Sequence, residues 1–461
     1  MMSITIYPIK QMPGDIIIGG DYDTTQMALI LGALASGETI INIYNKSLNT
    51  GRTVDFLKNI GSRVIVDGGT LRVGRGDGPT IPEDRHLTYG GDISPLSLII
   101  GLLAGMNESC ILDYGEAVNS DIIDSLTEVL NKKGIDIFHE ANSRQVVFRA
   151  SAEHPIEIKI SSSLSYSKNC LLAFGLVSGC SVNIREFRIT SGVFQKGIKR
   201  FDGDINIMTP KPEFKPDPHD PRKRIRTTSV DYKREIILGP SVRLQGQTIN
   251  IPVDFDMAAA LITLAVIKKK SITLPGISMD NNATGFLNHL KASGMDVKTG
   301  ERKNVDGFQI GEVTVTGKEI KVRRTAGSLA TSLIDEIPFL AIIAAAGKGT
   351  SVIRGVREMS ESGLNPFEEI TANLQKMGVK SGIMEDGLVI EGTGVLAGAD
   401  FGRFENPRVG LAFLIAAMAA QERCTFDDFS NVVQHYPDTG IIWPVELMGQ
   451  KTVTEEDDIR A

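Results

Sequence analysis

The stretch Ile334–Gly355, IDEIPFLAIIAAAGKGTSVIRG, holds one clear copy of the unit from which the chain is built. Two acids and Ile-Pro open it, an apolar run with no polar side follows from Phe339 to Ala346, and Gly-Lys-Gly breaks into the β-branched segment Thr350 to Arg354. A helix with one apolar stripe suits a surface, whereas a helix apolar all round must be buried on every side. The run therefore predicts a core helix. Behind the strand, Asn365-Pro366 sets the start of a second helix, PFEEITANLQKMG, in which Phe367, Ile370, Leu374 and Met377 share one face and Gly378 fits a C-terminal cap. The unit reads helix, strand, helix, strand pair.

The same unit recurs along the chain, and repeats take precedence over motifs in reading a fold. The buried helices read TTQMALILGALASG from Thr24, PLSLIIGLLAG from Pro95, SKNCLLAFGLVSG from Ser167, DMAAALITLAVI from Asp256, EIPFLAIIAAAGKG from Glu336 and RVGLAFLIAAMAA from Arg408. Their partner helices end in LKNIG at Gly61, LNKKG at Gly134, IKRFDG at Gly203, LKASG at Gly294, LQKMG at Gly378 and, less regularly, VELMG at Gly449. Six copies in 461 residues divide as three plus three, and a chain of that length exceeds what one core supports, so two α/β domains are expected.

Composition narrows the function. The 42% of hydrophobic residues can fill two cores, with no apolar run of transmembrane length and no charged-then-apolar leader, so a soluble cytoplasmic protein is expected. Cys110, Cys170, Cys180 and Cys424 lack metal-ligand spacing and read as buried reduced thiols. A net charge of -7 gives no reason to expect nucleic acid.

Five segments, in order, carry a resemblance. GGDYDTTQMALILGAL, ending at Leu34, is similar to the opening Pro-Gly-Ser/Asp-Lys-Ser motif of 5-enolpyruvylshikimate-3-phosphate synthases, the shikimate-pathway family related to the cell-wall enolpyruvyl transferases. YGGDISPLSLIIGLLAG resembles that family's Gly-Asn-x-Gly-Thr-x-x-Arg segment, IPVDFDMAAALI its Val-Pro-Gly-Asp segment, and IDEIPFLAIIAAA its Ile-Asp-Glu-Ile-Pro segment. FENPRVGLAFL with VVQHYPDTG resembles Asp-His-Arg-Ile-Ala-Met and the closing Lys-x-Phe-Pro. The resemblance implies an inside-out α/β barrel in two domains, with chain crossings near Gly20 and Pro252. The N-terminal three-repeat domain would span 21–250, and residues 1–20 with 251–461 would form the C-terminal one. It further implies buried helices with their starts directed into an interdomain cleft, a small-molecule substrate there, no membrane partner, and no organic cofactor or metal. Helix starts suit a phosphorylated substrate because each carries about half a positive charge and unpaired N–H groups.

Read residue by residue, most of the family's cations are missing. The first motif's Lys falls on Tyr22, its Ser on Asp23 and its Arg on Met27; the second motif's Asn falls on Gly91 and its Arg on Ser97. In SSSLSYSKNCLL the family's Gln falls on Ser165, while Ser163 survives. Further losses fall on Ser360, Leu364 and Gln434. Hydrogen bonds to charged groups contribute roughly 1.5 to 3 kcal/mol each, so four losses forfeit roughly 6 to 12, against about 8 for micromolar binding. Phosphoenolpyruvate is not expected to be held.

What remains is Asp335, which the resemblance gives as the residue abstracting a proton at the substrate hydroxyl, Glu361 as its companion acid, and Arg408 as an anion binder. An N-cap for Asp335, a solvated loop acid for Glu361 and a structural ion pair for Arg408 are the competing readings. Asp23, Thr24, Ser97, Ser163, Ser165 and His435 complete the candidate substrate-binding set, and Asp21, Asp23, Asp92 and Asp256 near helix starts read either as caps or as an acidic rim. The leading expectation is a divergent enzyme acting on a shikimate-like hydroxylated cyclic acid by elimination or proton transfer, without phosphoenolpyruvate. A non-catalytic binding or assembly protein, and a true 3-phosphoshikimate 1-carboxyvinyltransferase with cations from elsewhere, stand against it.

One segment departs from the repeat. From 209 to 234, TPKPEFKPDPHDPRKRIRTTSVDYKR brings prolines and a cluster of Arg222, Lys223, Arg224 and Arg226, and reads as a surface loop without regular ladder. A solvated basic loop, a lid and a docking site for a partner protein are its three readings.

Overall fold

The computed structural model describes residues 2–12, 18–116, 118–151, 155–161, 164–187, 189–210, 214–217, 220–226, 232–279, 281–321, 323–327, 329–330, 333–356 and 366–437. Six of its helices are apolar on all sides: α1 (Tyr22–Leu34), α3 (Ile93–Met106), α5 (Ser165–Ser178), α7 (Phe255–Ile267), α9 (Ile337–Ala346) and α11 (Pro407–Ala419). Five amphipathic helices follow them in turn: α2 (Leu48–Asn59), α4 (Ser120–Asn131), α6 (Val193–Arg200), α8 (Asn281–Ala292) and α10 (Pro366–Lys376). The sixth partner, expected to end at Gly449, falls outside the described residues; a short α12 (Ser430–His435) follows α11. Left-handed glycines follow four partner helices at Gly61, Gly134, Gly294 and Gly378, whereas the third copy places Asp202, φ 60°, in that conformation one residue before Gly203.

The chain divides into two compact units, one discontinuous (Met1–Asp21, Asn45–Leu48, Pro252–Ala461) and one inserted (Tyr22–Tyr44, Asn49–Ile251). In the inserted unit each copy lays a four-stranded sheet: Thr248–Asn250, Glu38–Asn42, Thr70–Gly74, Arg63–Asp67 in the first, His86–Tyr89, Cys110–Tyr114, Gln145–Phe148, Ile137–Glu140 in the second, and Ile205–Met208, Arg234–Leu238, Ser181–Glu186, Glu157–Ser161 in the third. Each contains one parallel pair beside antiparallel ones; α3 and α5 make the crossover between the parallel strands of the second and third sheets, whereas the first takes its parallel strand, Thr248–Asn250, from the end of the unit. Glycines let α3 and α5 meet backbone to backbone, because a Cβ on Gly101 would lie 2.0 Å from the Cys170 carbonyl oxygen.

The discontinuous unit repeats the scheme, and its last sheet is completed from the chain start, with Ile4–Ile6 pairing antiparallel to Cys424–Phe426. Gly20 and Val253 form a bridge, and Asp21 N–H donates to Pro252 at 2.8 Å, so the two chain crossings lie side by side. Its core joins α7, α9 and α11 to a ring cluster in which Phe426 lies 5.0 Å from both Phe401 and Phe429.

The 209–234 segment corrects the loop expectation, since Phe214–Asp217 pairs antiparallel with Asp220–Arg226. Proline removes one donor, which a central strand cannot spare but a two-stranded ribbon with open edges can. The register shifts at Pro216/Asp217, where the ladder absorbs it.

Candidate active-site clusters

In the discontinuous unit, three helix starts gather Asp254, Asp256, Asp335 and Arg408. Asp254 caps α7, accepting from Met257 N–H at 3.0 Å, which places Asp256 in the first turn. Asn406 caps α11 through the N–H groups of Arg408 and Val409, at 3.0 and 3.3 Å, and Pro407 follows as the first helical residue. Arg408 is thereby set in the first turn. Its Nε donates to Asp256 Oδ2 at 2.9 Å and its Nη1 to Asp335 Oδ1 at 3.2 Å, so two carboxylates share one guanidinium. Asp335 is not the cap of α9, a place taken by Glu336, whose side chain makes no capping bond to the helix. Tyr436 donates to Asp256 Oδ2 at 2.7 Å from behind.

Charge follows from this packing. Burial opposes ionisation of Arg408, but Asp256 and Asp335 outweigh it and hold its pKa well above the ordinary value. Burial, with Asp256 and Asp21 nearby, raises Asp254 well above the carboxylate range and so favours its neutral form. Burial lowers His435 to about 4, leaving a neutral imidazole 4.7 Å from the Tyr436 ring. Among the described residues, one guanidinium thus faces the two carboxylates of Asp256 and Asp335. The Arg408 side chain stays 28% exposed and that of Asp335 41%, so the pair is reachable.

A brace outside the predicted set supports α11. Glu369 on α10 accepts from the N–H groups of Glu405, at 2.7 Å, and Asn406, at 3.3 Å, while Asn431 Nδ2 donates to the carbonyls of Phe404 and Glu405 at 3.0 and 2.9 Å. Burial raises Glu369 to about 7 despite those two donors.

In the inserted unit the starts of α1 and α3 gather a second set. Asp92 caps α3, accepting from Ser94 N–H at 3.1 Å and from Asn49 Nδ2 at 3.1 Å, and Tyr22, buried at the family's Lys position, presents its hydroxyl to the same carboxylate. Burial raises Asp92 to about 6, against the Tyr22 hydroxyl and with the help of Asp23. Asp23 accepts from Ser94 Oγ at 2.8 Å. Gly91, where the family has Asn, could not carry a side chain here, because its Cβ would fall 2.2 Å from the Tyr89 hydroxyl. Tyr89 in turn shares a hydrogen bond with Thr53 at 3.1 Å.

The remaining candidates separate. Thr24 is buried at the start of α1, Ser97 is fully buried and donates to the Ser94 carbonyl at 2.8 Å, and Ser165 opens α5. Glu361, Ser163, Ser360 and Leu364 lie outside the described residues. Two cations escaped the sequence reading. Arg52 donates to Asn49 Oδ1 at 2.8 Å, on the α2 face that Asn49 and Thr53 share at helical spacing, and this spacing was the available signal. Lys168, buried in the first turn of α5, donates to Thr190 Oγ1 at 2.6 Å and Glu186 Oε1 at 3.3 Å, and Arg234 pairs with the other Glu186 oxygen. Burial lowers Lys168 to about 8 although Glu186 opposes it. The four cysteines are free and buried, as their apolar settings predict. Among the described residues no group of three or more His, Cys, Asp or Glu could hold a metal ion, and no helix is long and apolar enough to cross a membrane.

Known proteins resemble the chain over nearly its whole length. The family described as EPSP synthase (3-phosphoshikimate 1-carboxyvinyltransferase) matches residues 6–440. The 3-phosphoshikimate 1-carboxyvinyltransferase of Synechococcus sp. (strain JA-3-3Ab) is 26% identical over 441 residues, covering 94% of each chain. That of Geobacillus thermodenitrificans (strain NG80-2) is 25% identical, covering 93% of this chain and 95% of its own. Among solved structures, EPSP synthase from Acinetobacter baumannii superposes with a TM-score of 0.76 at 19% identity, covering 95% of this chain and 97% of that one. The enolpyruvyl transferase NikO from Streptomyces tendae gives 0.70 at 16% identity, covering 96% and 97%. At those identities the structural likeness speaks to the fold alone.

Proposed function

The chain belongs to the EPSP synthase family, and from that premise we propose that it is an enzyme of this fold acting on a shikimate-like hydroxylated cyclic acid by acid–base chemistry, without phosphoenolpyruvate. The observation that carries the reading is the double pairing of Arg408 with Asp256 and Asp335. A guanidinium already facing two carboxylates offers little to a phosphate dianion, which those carboxylates would repel. Hydroxyls, by contrast, are good donors to such carboxylates.

The chemistry then follows from exchange of partners. A single substrate carboxylate arriving at Arg408 competes with Asp335, while Asp256 keeps its hold through Nε and Tyr436. Displaced, Asp335 accepts a proton from the ring or its hydroxyl, and in an elimination the departing hydroxide leaves as water once a companion acid protonates it. Glu361 is assigned that part by family resemblance. General acid–base steps of this kind contribute about 10²- to 10⁴-fold.

A second reading, enolpyruvyl transfer itself, is favoured by the match to carboxyvinyltransferases over 94% of their length. One assay separates the two. With phosphoenolpyruvate and shikimate 3-phosphate the purified protein is expected to release no phosphate; steady release supports the transferase and sinks our reading. With a panel of hydroxylated cyclohexane and cyclohexene carboxylic acids in deuterated water, exchange or loss of water is expected by NMR. Asp335→Asn should abolish that turnover and leave the melting temperature within a few degrees.

A further inference from the structure

The proposed chemistry leaves one concavity of the inserted unit unused. It lies on the outer face of the first sheet, with a volume of about 310 Å³, and its walls include Glu38, Arg63, Ile65, Arg72 and Arg75. Strand alternation puts them there, because Thr39, Ile41, Val64, Leu71 and Val73 take the buried face. Register aligns Ile65 with Arg72 and both Glu38 and Arg63 with Gly74, so the glycine leaves the floor open between charged neighbours.

The arginines are held differently. Arg72 Nη1 is tied to Glu38 Oε2 at 3.2 Å, whereas Arg63 and Arg75 have no ion pair among the described residues. Arg75 is set at the rim by a turn in which Gly78 N–H donates to its carbonyl at 3.0 Å. Gly76, φ 62°, sits in that turn and packs so closely on the segment after α2 that a Cβ would lie 2.2 Å from the Gly61 oxygen. Three arginines against one glutamate give the pocket two excess positive charges on a chain whose net charge is -7.

We propose that this pocket binds the phosphate monoester of a sugar-sized metabolite. Two arginines without an ion pair among the described residues match the charge of a phosphate dianion, to which a guanidinium can offer a two-pronged fork. The volume corresponds to roughly ten waters at about 30 Å³ each, more than a phosphate alone fills. Ile65, 39% exposed, offers the attached body an apolar wall. The site is independent of Arg408 and Asp335, and its test does not require turnover.

Isothermal titration of the full-length protein with glucose 6-phosphate, inorganic phosphate and glucose tests the proposal. Saturable binding of the ester is expected, with inorganic phosphate at least about tenfold weaker and glucose not bound. Arg63→Ser/Arg75→Ser should weaken the ester at least about tenfold, whereas Lys303→Ser/Lys376→Ser, an equal charge change on exposed residues of the discontinuous unit, and Asp335→Asn should not. No saturable binding, equal affinity for inorganic phosphate, or an equal loss in the lysine control would overturn it.

Discussion

Glu369 illustrates how a residue away from the chemistry governs it. Its carboxylate braces the backbone that leads into α11, and α11 sets Arg408. With a folded pKa of about 7 against an ordinary 4.5, the native state keeps a proton that the unfolded chain has already released in that interval. Stability contributed by this group is therefore complete below pH 4.5 and falls as pH rises toward 7, by about 3 kcal/mol. Glu369→Gln imitates the protonated form and retains an acceptor, so urea denaturation should show a flatter dependence between pH 4.5 and 7 than the parent protein. Parallel curves would refute this. Such a brace was illegible in the sequence, where Glu369 reads as one acid of an amphipathic helix. Asp335 and Arg408 were legible singly, but their contact spans 73 residues and that of Arg408 with Asp256 spans 152, which no local pattern encodes.

Elements were far easier to read. All-round apolarity fixed the six buried helices because no surface placement could satisfy them, and capping glycines located four partner helix ends. The ribbon at 214–226 was missed because proline statistics describe central strands, and this ladder has only edges. Contact between α3 and α5 was equally hidden. Its signal, Gly101 and Gly105 one turn apart, looks like low helix propensity until the facing backbone is seen. Gly101→Ala should raise propensity yet destabilise the protein by about 1 to 3 kcal/mol, since added volume in a packed interface forces backbone shifts. A denaturation midpoint at or above the parent's would show that α3 and α5 can separate without loss.

For the whole molecule, the six-fold repeat made the architecture accessible before any catalytic motif was considered. Family resemblance then rested on motif order, while the chemistry rested on the residues that depart from it. Tyr22 and Gly91 show why such departures come in sets: the tyrosine presents its hydroxyl to Asp92, and Tyr89 forbids a side chain at Gly91.

The two adjacent crossings have a mechanical consequence. Because Gly20 is bridged to Val253 and Ile4–Ile6 is paired to Cys424–Phe426, tension applied at the two ends of the chain runs through the discontinuous unit and bypasses residues 22 to 251. The inserted unit is slack until that clamp parts. Stretching single molecules by their ends should therefore give two extensions in fixed order, the discontinuous unit lengthening first and the inserted unit second. Joining residues 20 and 253 by an engineered disulfide should remove the second extension and leave the first.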